Sequence, residues 1–90
     1  MSREKKLLIT ALKFAHQNNI NPVGLTFSVD EKRSQFLDEV EVEKVKVRVE
    51  SISPVTGGQK VDYHIYSPWD NVKADCFDLV LDEEVNGKSS

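Results

Sequence analysis

The chain has 90 residues, of which 39% are hydrophobic and 30% charged, which suits one small core and excludes a wholly disordered chain. Twelve basic against fifteen acidic residues give a formal net charge of −3, too balanced to imply a polyanion partner and too weak for a nucleic-acid mimic. A lone cysteine, Cys76, excludes an internal disulfide, and the first apolar run, Leu7 to Ile9, is too short for a signal peptide or a membrane span.

These limits predict a single domain over 1–86, a disordered tail over 87–90 and a reducing, cytoplasmic setting. Charge is uneven along the chain. Arg3, Lys5, Lys6 and Lys13 lie at the amino end, whereas Asp70, Asp75, Asp78, Asp82, Glu83 and Glu84 crowd the carboxyl end. The two ends are expected to face solvent or each other.

From Ser2 to about Asn18, Leu8, Ala11, Leu12 and Ala15 recur at helical spacing. Ser2 is placed to cap this helix, and Asn18-Asn19 to end it in a left-handed turn before Pro22. Leu25, Phe27 and Val29 then alternate with polar residues as a short strand at a sheet edge. Asp30 to Glu39 reads as a long connection or one helical turn pinned by Phe36.

Val40 to Ile52 is the strongest strand signal, with Val45, Val47 and Val49 on one face and Lys44, Lys46 and Arg48 on the other. Val40 and Val42 are out of phase with those three valines, and an extra residue at Glu43-Lys44, a β-bulge, would bring all five to one face. Ser53 to Gly58 supplies a turn longer than the two-residue ideal, and Val61, Tyr63 and Ile65 alternate beyond it to complete a β-hairpin.

The segment after Ser67 has two readings. Ser67-Pro68-Trp69-Asp70 would open a helix with Trp69, Val72, Cys76 and Leu79 on one face. Alternation of Val72, Ala74 and Cys76, then of Phe77, Leu79 and Leu81 after one slip, favours a strand. The expected fold is α+β: one N-terminal helix packed on a mostly antiparallel sheet of about four strands containing a central β-hairpin.

No constellation of residues points to catalysis. Cys76 with His64 or His16 lacks an orienting third group, and the two histidines and the cysteine have no metal-ligand spacing. Gly57-Gly58 lacks the context of a phosphate-binding loop. No catalytic residue, metal or cofactor is therefore assigned, and no small-molecule substrate or membrane partner is evident.

Two binding readings remain. The first is a small non-enzymatic protein-binding module, adaptor-like or inhibitor-like, acting through a sheet edge and an exposed turn, with Trp69, Tyr66 and His64 as contacts. Its partner would be another protein or a second copy of the chain. The second is single-stranded nucleic-acid binding on the outer face of the hairpin through Lys44, Lys46, Arg48 and Lys60, although Glu41, Glu50 and Asp62 interrupt that patch.

Overall fold

The computed structural model describes residues 2–34, 40–67 and 72–86. Helix α1 (Arg3–Gln17) is followed by strands β1 (Thr26–Ser34), β2 (Val40–Val55), β3 (Gly58–Ser67) and β4 (Val72–Leu81), and then by a short helix α2 (Asp82–Asn86). The strands form one antiparallel sheet in the order β1-β2-β3-β4. The fold is α+β, with α1 lying on one face of the sheet. Among the described residues no helix is long and apolar enough to cross a membrane.

Helix α1 starts and stops where its chemistry dictates. Ser2 Oγ accepts the Lys5 N–H at 3.1 Å, satisfying one otherwise unpaired donor of the first turn. At the other end Asn19 takes a positive φ of 55°, and the Ile20 N–H reaches back to the Ala15 carbonyl at 2.9 Å. Arg3 opposes the helix dipole at the N-terminus but donates to Glu31 Oε1 on β1 at 2.9 Å, so an ion pair with the sheet offsets that cost.

Leu8, Ala11, Leu12 and Ala15 are buried together with Leu7 and Ile9. They cover the sheet face built from Val45, Val47, Val49, Val61, Tyr63 and Ile65, none more than 2% exposed. Each valine so buried contributes roughly 1.5 to 3 kcal/mol, enough to fix the strand register. The two charged ends of the chain also meet, with Lys5 Nζ 3.4 Å from Glu84 Oε1.

Four expectations need correction. First, the bulge is not at Glu43-Lys44. Pairing of β2 with β1 runs without interruption from Val40 to Arg48, and the extra residue falls at Glu50, between the pairs Val49↔Tyr63 and Ser51↔Asp62. The slip is needed there because Val49 and Ile52 both pack on the core from positions three apart, whereas Val42 stays in phase with Lys44 and is 55% exposed. The side chain of Val40 lies outside the described residues.

Second, the hairpin turn is short. Val55 pairs with Gly58, so the turn is only Thr56-Gly57, with Gly57 at φ 75°. Pro54 is tolerated inside β2 because pairing with β1 ends at Arg48, leaving that end of β2 with a neighbour on one side only. Gly58 is required by a close approach to β4: a Cβ there would stand 2.5 Å from the Val80 carbonyl oxygen.

Third, Asp30 to Ser34 continue β1, paired with Val40 to Lys44, instead of forming a connection or a helical turn. Residues 35–39, with the proposed Phe36 pin, lie outside the described residues. Fourth, β4 pairs with β3 from Val72 to Leu81 in one uninterrupted register. Without a slip, Cys76, Asp78 and Val80 take the helix side, and Phe77, Leu79 and Leu81 face outward at 60, 47 and 40% exposure. The inward Asp78 is accommodated by the Tyr63 hydroxyl, which donates to its Oδ2.

Candidate functional site

A meander sheet has two edges, and the backbone bonding fixes what each presents. At the start of β1 the Val49 N–H donates to the Leu25 carbonyl at 3.1 Å, and the Gly24 N–H donates to the Val49 carbonyl at 2.8 Å. Antiparallel strands alternate between residues that bond across the pair and residues whose N–H and C=O turn away. Phe27 and Val29 therefore bond towards β2, and Thr26, Ser28 and Asp30 offer their backbone groups to the open edge.

The same edge lies under α1. A cavity of about 480 Å³ is lined by Thr10, Ala11 and Phe14 of the helix, by Thr26, Phe27, Ser28, Val29 and Asp30 of β1, and by Lys44 of β2. Its apolar wall is the edge-to-face pair Phe14 and Phe27, with ring centroids 6.2 Å apart and planes at 74°. Phe14 is nevertheless 54% exposed. Among the described residues, an exposed aromatic ring, backbone groups that turn away from β2 and the groove thus converge along one side of the molecule.

Sequence reasoning found the edge and missed the groove. Phe14 sits beside the buried stripe Leu8-Ala11-Leu12-Ala15 without belonging to it, and that offset was the available signal. Thr10 is on the same flank, its hydroxyl donating to the Lys6 carbonyl at 3.0 Å.

Of the residues singled out from the sequence and described by the structure, Lys44 lines this groove and the others fall elsewhere. His64 and Tyr66 lie on the outer face of the sheet, opposite Arg48 and Lys46 respectively, and Trp69 lies outside the described residues. His64 Nε2 is 3.1 Å from Glu50 Oε2, and its Nδ1 meets Asp75 Oδ1, so the ring is bracketed by two carboxylates. Lys44, Lys46, Arg48 and Lys60 share that outer face, and two of the four are held by carboxylates. Lys44 Nζ bonds Asp30 at 2.7 Å, Arg48 Nε bonds Glu50 at 2.9 Å, and Lys60 lies between Ser53 and Leu79.

Cys76 and His64 lie on opposite faces of the sheet. Cys76 pairs with Tyr63 on the helix side. Burial, then the nearby carboxylates of Glu4 and Asp78, push the Cys76 thiol above its ordinary pKa, which disfavours the nucleophilic thiolate. Burial and the hydrogen bond to Asp78 likewise push the Tyr63 phenol well above its usual range. Among the described residues, no group of three or more His, Cys, Asp or Glu side chains is placed to hold a metal ion.

A second hollow of about 220 Å³ lies at the far end of α1, lined among others by Leu12, His16, Ile52, Gln59 and Val85. Its lining comes mostly from α1, α2 and the residues of β2 and β3 beside the hairpin turn. Comparison with known proteins adds nothing to this geometry: no family model, no curated protein and no solved structure matches the chain.

Proposed function

We propose that this chain is a small protein-binding module that takes a partner's strand onto the free edge of β1. The observation that carries the reading is the coincidence of unpaired backbone groups at Thr26, Ser28 and Asp30 with the apolar groove under Thr10, Ala11 and Phe14. Main-chain bonds to the edge would supply affinity, and the groove would read alternate side chains of the added strand. The reading is non-enzymatic, supported by the elevated pKa of Cys76 and its separation from His64 by the sheet.

The nucleic-acid alternative is less well supported because Lys44 and Arg48 already hold carboxylates on the outer face. It remains open to a mobility-shift assay at low salt with single-stranded probes.

Ser28→Pro tests the proposal directly. Proline deletes the N–H that points away from β2 and leaves the β1–β2 ladder in place, so the fold should persist. Tagged wild-type and Ser28→Pro chains would be used to capture partners from the native cell, with quantification by mass spectrometry. The wild type should retain proteins that the variant loses; identical captured sets would reject strand addition at β1.

A further inference from the structure

We infer that the occupant of the β1 groove is an extended, otherwise unfolded segment with apolar side chains at alternate positions and acidic residues around them, and not the edge of a folded sheet. This inference rests on the function proposed above and specifies the partner's chemistry.

The first argument is steric. A strand added to β1 would direct every second side chain to the helix side of the sheet, against Phe14, Ala11 and Phe27. In a folded sheet those side chains are already covered by a layer of their own. The β4 strand of a second copy shows the difficulty, because its helix-side residue Val80 is fully buried beneath its own core. Bringing such a layer alongside β1 would set it against α1 and the projecting Phe14 ring. An isolated segment carries no such layer. Thr26 to Asp30 would engage about five of its residues at roughly 3.3 Å each.

The second argument is charge. Lys6 and Lys13 flank the Thr10–Phe14 side of the helix, and Lys32 follows the edge-bonding residues of β1 on the outer face. These three lysines hold no ion pair among the described residues, whereas Asp30, the one acid lining the groove, is taken by Lys44. The rim therefore carries an excess of positive charge, which favours acidic flanks and repels basic ones.

Synthetic fluorescein-labelled peptides titrated into the purified full chain, with anisotropy as the readout, test both arguments. The reference peptide alternates valine with threonine between pairs of glutamates. It should bind saturably. N-methylation of its edge-facing amides should weaken binding by more than about tenfold, since each loses a main-chain hydrogen bond. Grouping the valines together should weaken it comparably, and replacing the glutamates by lysines should cost about three- to tenfold at low salt. Lys13→Glu, at an exposed position, should weaken that preference.

Binding indifferent to alternation or N-methylation would overturn the extended-strand inference, and indifference to flank charge would overturn the acidic assignment. If no alternating peptide binds while Ser28→Pro still loses captured partners, the occupant is a folded edge: the inference fails and the proposed function stands. If peptides and captured proteins alike ignore Ser28→Pro, the function itself fails.

Discussion

The two edges of the sheet are built from opposite materials. β1 presents Thr26, Ser28 and Asp30 on its outer face and carries α1 over its other face, whereas β4 presents Phe77, Leu79 and Leu81 on the outer face. Beneath those apolar residues β4 is tied to the core through Val80, Asp78 and the close contact with Gly58. Its last edge-facing donor, the Leu81 N–H, is taken by Glu84 Oε1 of α2 at 2.8 Å. Protein sheets commonly blunt their edges with charge, bulges or covering elements. Here one edge is polar and carries a groove, and the other is apolar and stopped at its end by a helix. The difference teaches that β4 is bound into the core, and it is consistent with the proposed use of β1 as a recognition edge.

The largest effect should therefore come from the β4 side. Gly58→Ala would drive a methyl into the Val80 carbonyl, and because both partners are backbone neither can step aside; a loss of about 3 kcal/mol is expected in urea unfolding. A variant of wild-type stability would refute the close approach.

Tyr63→Phe comes next. It leaves the half-buried Asp78 without its donor and should cost about 1 to 2 kcal/mol at neutral pH. The same substitution has a signature in alkali. The Tyr63 phenol is held above its unfolded value near pH 10, so above that pH the unfolded chain releases a proton that the folded chain keeps. Stability is thus intact below about pH 10 and falls above it, by up to about 1.4 kcal/mol per pH unit from this one group. Cys76 acts in the same direction, beginning near its own unfolded value of about 9. Denaturant titrations from pH 8 to 11 should show a shallower decline for Tyr63→Phe; parallel curves would contradict the assignment.

On the β1 side, Ser28→Pro should change stability by less than about 1 kcal/mol while abolishing binding of alternating peptides. Phe14→Asp should do the same, because the ring is mostly exposed and lines the groove. A large drop in melting temperature for either would move β1 into the structural class and remove the contrast. The smallest effect belongs to the double substitution Phe77→Thr and Leu79→Thr, which should shift stability by no more than about 0.5 kcal/mol per site. Light scattering at high concentration should nevertheless show less self-association, since an exposed apolar edge is a pairing site.

The parts of this architecture legible in the sequence were those with a clean period. The helix announced itself through Leu8, Ala11, Leu12 and Ala15 and its serine cap, and the central strands through valines at every second position. What stayed hidden depends on neighbours. Asp30 to Ser34 have no apolar pattern because β1 is an edge strand, where pairing with β2 and cross-strand contacts such as Lys44 to Asp30 suffice. The bulge was misplaced because Val42 looks like a core residue until β1 is seen pairing straight past it. Phe14 gave little warning of its place in a groove because the groove exists only once α1 has been laid over β1, which no local pattern encodes.

The extra residue at Glu50 divides the sheet mechanically. It falls just beyond the end of the paired length of β1, so one ladder, that of β2 with β3, absorbs the whole distortion. Bulges sharpen twist. Past this point β2 turns Ile52 under the end of α1, where it helps to line the hollow that Val85 of α2 also borders. The groove of Phe14 and Phe27 lies on the other side of the bulge, along a stretch of regular pairing. Deleting Glu50 would thus act as a local phase error, unseating Ile52 and loosening the α2 end while sparing the geometry of the β1 groove. In engineering terms the β2–β3 ladder has two regular stretches in different phase, joined at a seam a single residue wide.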